Sequence, residues 1–312
     1  MQLVQWPIAD ADLLPEQAHA EVYRYAARAP QTWARYQSSI KAWVAYARAQ
    51  GWPDASVSVS RVCAFLANLA GSGKAVSSVN VARAALRVLC RYSGWPDVCD
   101  DPQVVEVCRG IARTHGIAPR KQAADLTVDQ MRSILQACKG DRLQDLRDQA
   151  LLAVWWLSAC RGSEISALNL QDLQWREAGV VLTLRRSKTD QVGRGREVPV
   201  PAGPATANLR IWVAVLAGRD ITSGPLWRSV DGKNVRLSAN ACVEILQRRA
   251  KKAGITGLTG HSIRRGHVTA ATLLGVPLQA IAKQTGHKRL DTVIRYVESA
   301  RLFDDAPARG LL

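Results

Sequence analysis

Residues 179–201 decide the fold. Gly179-Val-Val-Leu-Thr-Leu-Arg185 and Arg196-Glu-Val-Pro-Val-Pro201 flank a polar, glycine-bearing stretch. Both are short, rich in β-branched residues and bounded by turn formers, so they read as strands around a hairpin. On either side of them apolar residues recur three and four positions apart, the spacing that gives a helix one buried face. The sequence therefore predicts a mainly α chain: an all-helical N-terminal domain, then a mainly helical second domain holding a small antiparallel β-sheet.

Toward the N-terminus, Leu143 to Cys160 reads as a long apolar helix carrying Trp155 and Trp156. Thr127-x-x-Gln130 matches a capping box that starts the helix before it. Ala118-Pro-Arg-Lys-Gln-Ala-Ala-Asp125 is polar and proline-bearing and reads as a linker. Ahead of it lie helical segments over Glu16 to Ala29, Thr32 to Gln50, Ser60 to Ala70, Ser77 to Tyr92 and Pro102 to His115, closed by proline or glycine. Toward the C-terminus, helices are expected over Ala205 to Ala217, Ser238 to Ala253, His261 to Leu274, Leu278 to Thr285 and Leu290 to Ala300. The expected division is a helical N-terminal domain over 1–117, a linker over 118–125 and a second domain with a C-terminal tail over 126–312. Gly71-Ser-Gly-Lys74 lacks the first glycine and the closing Ser/Thr of a phosphate loop, so a helix connection is expected there. Most tryptophans, including Trp43, Trp155, Trp156 and Trp212, fall at helical apolar spacing and are expected in cores.

The chain carries a net charge of +16 over 312 residues. Polyanions are the natural partners of such a field, although basic membrane-surface proteins share the signature. No apolar run approaches the ~18–20 residues of a membrane span. The seven cysteines form no C-x-x-C pair and the five histidines show no familiar metal spacing. A soluble, cytoplasmic protein without metal or cofactor is expected.

Chemistry concentrates in the second domain. Ser158-Ala-Cys-Arg-Gly-Ser-Glu164 places Arg161 at a helix end with Glu164 just beyond, and Ser187-Lys188-Thr189 lies at the hairpin tip. His261-Ser-Ile-Arg264 sets two polar side chains on one helical face. Gly286-His287 follows, then Arg295-Tyr296. Two guanidiniums can grip the non-bridging oxygens of a phosphodiester and stabilise the charge that builds on a pentacoordinate phosphorus. A tyrosine hydroxyl ordinarily ionises only at about pH 10, so it needs cations or a base beside it to act as a nucleophile. Lysine can protonate a departing 5′-oxygen, and histidines add hydrogen bonds and proton transfer. No carboxylate cluster for magnesium is evident, so metal-free chemistry is inferred. Each residue also has an ordinary alternative: Arg161 as a helix-end charge, Lys188 as a solvated hairpin lysine, Glu164 in a surface ion pair, His261 and Arg264 as surface residues, Tyr296 packed with Val293 and Val297. Tyr296 is, however, the sole tyrosine after Tyr92. Arg185, Arg186 and Arg194 compete with Lys188.

Arg161, Lys188, His261-x-x-Arg264, His287 and Tyr296, in this order and spacing, resemble the tyrosine recombinase (phage integrase) family over essentially the whole chain. Thr32-Trp-Ala-Arg-Tyr-Gln-Ser-Ser-Ile-Lys-Ala-Trp43 and Leu237-Ser-Ala-Asn240 look closer to Cre than to Xer proteins, whereas His287 stands where Cre has tryptophan. The resemblance implies a core-binding domain followed by a catalytic domain. Arg161 and Arg264 would clamp the scissile phosphate, Glu164 would orient Arg161, and Lys188 would be the general acid. His261 would assist proton transfer, His287 would hydrogen-bond the phosphate, and Tyr296 would be the nucleophile. It implies stepwise recombination of duplex DNA by a homotetramer through a Holliday junction, without ATP. The tail Leu302-Phe303-Asp-Asp-Ala-Pro307 would dock on a neighbouring subunit or cover its own. Arg35, Lys41, Arg83, Arg87, Arg91 and Arg248 are candidate phosphate contacts, and Asn240 is a candidate adenine reader or helix cap. A type IB topoisomerase or telomere resolvase would use similar residues. A non-catalytic DNA-binding regulator of the same ancestry would be expected to lack one of the elements.

Overall fold

The computed structural model describes residues 22–117, 126–185, 195–287, 290–291 and 293–294. The chain divides into two compact units, Met1–Lys121 and Gln122–Leu312.

In the first unit residues 22–26 are helical, followed by α1 (Pro30–Ala49), α2 (Val59–Gly71), α3 (Val76–Ser93) and α4 (Pro102–His115). The preceding helix ends before Pro30, as expected, and Pro30 also opens α1 at its first position, where a missing N–H costs nothing. Asp101 caps α4 by accepting from the Gln103 backbone N–H at 2.9 Å, again just before a proline. The core gathers Trp43, Phe65, Leu66, Leu86 and Val104 from the four helices. Trp43 meets Phe65 edge-on at 5.3 Å and donates its indole N–H to the Ala55 carbonyl at 2.9 Å, which satisfies its one polar group. Gly71 is the last residue of α2, and the segment after it, beginning Ser72-Gly-Lys74, leads to α3.

The second unit begins with α5 (Val128–Gln136). Thr127 and Gln130 exchange the two hydrogen bonds of the capping box, at 3.2 and 3.0 Å. Then come α6 (Leu143–Ser158), α7 (Gly162–Ala167), β1 (Leu173–Arg176), β2 (Gly179–Leu184), β3 (Arg196–Pro201), α8 (Pro204–Ala217), α9 (Ala239–Lys252), α10 (Gly260–Leu273) and α11 (Leu278–Thr285). Among the described residues the sheet is antiparallel in the order β1-β2-β3. Register pairs Val180 with Val200 and Leu182 with Val198, aligning the apolar positions of the two strands. Strand β1 and the short helix α7 were not expected from sequence: four and six residues are too few to show a period.

Helix α6 is the spine. Leu151, Leu152, Val154 and Trp155 are fully buried, with α8, α10 and β3 packed around them. Its polar start is buried too, and it is neutralised by arginines. Arg249, on α9, is 2% exposed and donates to Asp145 at 2.7 Å and to Asp148 at 2.8 Å; Arg147 reaches Asp148 at 2.6 Å. The basic run ending α9 is thus partly an interior feature. Gly266 in α10 allows a close crossing: a Cβ there would overlap the Leu126 carbonyl oxygen and lie 2.8 Å from the Trp156 ring.

Candidate active site

Helix α6 ends at Ala159, a non-glycine residue in the left-handed region (φ 49°, ψ 27°). The turn is pinned by the Trp155 indole, which donates to the Cys160 carbonyl at 2.8 Å. It delivers Arg161 as the N-cap of α7, rather than as a charge ending α6. Glu164, one turn into α7 and 2% exposed, holds Arg161 twice. It accepts the Arg161 backbone N–H at 2.9 Å on Oε2 and the guanidinium at 2.6 Å on Oε1. One carboxylate therefore both starts the helix and fixes the side chain.

Arg196, the first residue of β3, reaches the same carboxylate at 3.2 Å through Nη2. Its Nη1 donates to the Gln284 carbonyl at 2.5 Å, at the negative end of α11. Gly286 follows α11 with φ 68°, and a Cβ there would sit 2.7 Å from Arg196 Nε. Glycine is required here both by backbone conformation and by space.

Arg264 enters from α10, whose start is capped by Thr259. It is 2% exposed and donates to the Ala159 carbonyl at 3.0 Å. Its Nη2 lies 3.1 Å from His287 Nε2, while His287 Nδ1 lies 2.7 Å from the Thr285 hydroxyl. Arg161, Glu164, Arg196, Arg264 and His287 thus form one connected cluster drawn from α7, β3, α10 and the end of α11.

Its electrostatics are those of an anion seat. Burial, then the neighbouring Arg161 charge, pulls Arg264 down to about 10, leaving it cationic at neutral pH. Burial, followed by Arg264, Arg161, His261 and Arg196, pulls His287 down to about 4, so it is neutral. Burial would raise Glu164, but the Arg161 N–H and guanidinium, helped by Arg196, hold it below the usual carboxylate range. Three guanidiniums thus face a single carboxylate.

His261 is exposed in the first turn of α10, one turn before Arg264. Lys188 and Tyr296 lie outside the described residues. Arg185, a competitor of Lys188, is bonded to Asp172 at 2.7 Å. In the first unit Arg35 and Lys41 are exposed on α1, and Arg91 is exposed in the last turn of α3. Arg83 and Arg87, expected to join Arg91 as one basic stripe, are instead tied to acids of their own unit. Arg83 donates to Asp100 at 2.7 Å and to the Cys99 carbonyl at 2.8 Å; Arg87 pairs with Asp97 and Asp100. Asn240 is exposed in the first turn of α9, and the cap of that helix is Ser238, not Asn240. Arg248 is half-exposed and contacts Asp148 at 3.1 Å.

Arg196 is the member of the cluster that sequence reasoning missed. The signal was available: Arg196, Val198 and Val200 alternate on one face of β3, so a charged residue at that register points inward and needs a partner.

The profile of the phage integrase family matches residues 124–302, and that of the phage integrase N-terminal SAM-like domain matches residues 22–95. An integrase/recombinase XerD homolog of Selenomonas ruminantium is 28% identical, over 86% of this chain and 80% of its own. The Cre recombinase of Escherichia phage P1 is 24% identical, over 86% of this chain and 84% of its own. Among solved structures, the XerH site-specific recombinase bound to a palindromic difH substrate in a post-cleavage complex has the same fold. Its TM-score is 0.71 at 15% identity, covering 95% of this chain and 84% of that one.

Proposed function

This chain belongs to the phage integrase family, and from that premise we propose that it is a site-specific tyrosine recombinase acting on duplex DNA. The observation that carries the reading is the clustering of Arg161 and Arg264 about a buried carboxylate and a neutral histidine. A phosphodiester supplies the missing negative charge. Arg161 and Arg264 grip its non-bridging oxygens, where charge grows as phosphorus becomes pentacoordinate.

Tyr296 is assigned as the nucleophile. Its oxygen bonds to phosphorus, the bond from phosphorus to the 5′-oxygen breaks, and the 3′-end remains as a phosphotyrosyl ester. The phenol proton leaves through His261 as the new bond forms, and the leaving 5′-oxygen takes a proton from Lys188. The reverse reaction with the 5′-hydroxyl of a partner duplex completes the exchange. Because the ester retains the bond energy, no nucleotide hydrolysis is needed. The first unit is assigned to gripping the DNA, with Arg35, Lys41 and Arg91 as phosphate contacts. The ion-paired Arg83, Arg87 and Arg248 serve only if DNA displaces their carboxylates, and Asn240 is free to meet a base edge. Assembly on two sites as a homotetramer, with the segment from Leu302 to Pro307 docking in trans, completes the reading. Its place of action is the bacterial cytoplasm, on chromosomal, phage or plasmid DNA.

The test is covalent trapping on a nicked suicide substrate. The wild type should form a protein–DNA adduct. Tyr296→Phe should form none while its DNA affinity stays within about twofold, since a lost phenol hydroxyl removes chemistry rather than phosphate contacts. An adduct formed by Tyr296→Phe refutes the nucleophile. Sizing products from a two-site plasmid separates recombination from mere supercoil relaxation.

A further inference from the structure

Thr285 is fully buried at the end of α11, and its hydroxyl makes three short polar contacts. It lies 2.7 Å from the Ile281 carbonyl, 3.3 Å from the Ala282 carbonyl and 2.7 Å from His287 Nδ1. A hydroxyl has one proton to give. If that proton went to Nδ1, the Ile281 carbonyl and the threonine oxygen would face each other at 2.7 Å with no hydrogen between them. The imidazole would then carry its own proton on Nε2, aimed at an Arg264 donor 3.1 Å away. Both contacts would repel. Among these contacts a single arrangement is consistent. Thr285 donates to Ile281, His287 donates from Nδ1 to Thr285, and Arg264 donates to the lone pair on Nε2.

We propose that Thr285 is a positioning residue that locks His287 in its Nδ1–H form, so that Nε2 is the nitrogen turned toward the arginine cluster. The inference rests on the recombinase reading only for its kinetic consequence. In this structure Nε2 accepts from Arg264. To donate to a phosphate oxygen, that nitrogen must take up a proton from solvent, because Nδ1 already holds its own against Thr285. A histidine free to exchange tautomers would meet the phosphate with either nitrogen protonated and without net proton uptake. Burial, and after it the cationic neighbours that hold His287 below its ordinary range, act in the same direction.

Two variants and one spectrum test this. Valine has the shape of threonine without the hydroxyl, whereas serine keeps the hydroxyl. In histidine-labelled protein without DNA, with the signal assigned through His287→Gln, nitrogen NMR should show a protonated Nδ1 and a bare Nε2 for His287. Thr285→Val should lose that preference and Thr285→Ser should keep it. On a suicide substrate, cleavage by the wild type and by Thr285→Ser should slow as pH rises through the neutral range, because Nε2 must take up a proton, whereas Thr285→Val should lose that dependence at unchanged DNA affinity. A wild-type spectrum with the proton on Nε2 overturns the proposal, as does a Thr285→Val variant with wild-type tautomer and pH profile. If Thr285→Val does not fold, the wild-type spectrum and the serine variant still decide. If the wild type cleaves no DNA at all, the recombinase reading fails while the tautomer assignment is judged separately by the spectrum.

Discussion

Glu164 uses both carboxylate oxygens, one shared between the Arg161 backbone and Arg196 and the other given to the Arg161 guanidinium. Losing Arg196 therefore leaves Arg161 attached but removes one of the charges that keep Glu164 ionised. In Arg196→Gln the Glu164 carboxyl should move up toward its ordinary range, so activity that depends on its charge should fail at a higher pH than in the wild type. A charge-assisted hydrogen bond of about 1.5 kcal/mol is also lost, which corresponds to roughly a tenfold slower cleavage. Single-turnover rates across the acid range test both effects. An acid limb unmoved in the variant would mean that Arg196 does not act through Glu164.

Helices meet at glycine where backbone must approach backbone, and α10 does so at Gly266. Replacing a mid-helix glycine by alanine ordinarily gains about 1 kcal/mol from propensity. Here the new methyl overlaps the Leu126 carbonyl and the Trp156 ring. The carbonyl belongs to backbone and cannot rotate away, so overpacking should win. Gly266→Ala should lose stability by about 1–3 kcal/mol in urea unfolding, and a stabilised variant would contradict this packing. Sequence made most of these elements legible because each long helix repeats its pattern over several turns. The capping box at Thr127, the β2–β3 pair and the limits of α4 and α11 are as read. Strand β1 and helix α7 were invisible because their length is shorter than the patterns used to see such elements. Arg161, Glu164, Arg264 and His287 were legible as spaced motifs. Arg196 was not, since its partners lie 32 and 88 residues away in sequence. The pairing of Arg83 and Arg87 was hidden for a similar reason: Asp97 and Asp100 sit in the α3–α4 loop, and periodicity along α3 carries no information about them.

At the scale of the whole molecule, the second unit is stitched by buried charges whose protonation differs between folded and unfolded chains. His287 is lowered from 6.5 to about 4 when folded. Between those values the unfolded chain binds a proton that the folded chain excludes, so stability declines as pH falls through that window. Asp145 is held near 2 by its bonds to Arg142 and Arg249, from an ordinary value of 3.8. Its contribution is complete above 3.8 and disappears as pH drops toward 2. Urea midpoints over this range should show two successive losses, and His287→Gln should shrink the first, which His267 shares because burial also holds it below its ordinary range, while sparing the second. A variant with the wild-type profile would mean that His287 does not titrate in that window.

The imbalance of the Arg161, Arg196 and Arg264 cluster against Glu164 reaches beyond the reaction itself. Without DNA the protein is electrostatically unfinished, and a tetrahedral oxyanion of modest size completes it. Sulfate and phosphate in a buffer should then bind there rather than act as inert salt, raising the stability of the folded chain by mass action while competing with DNA.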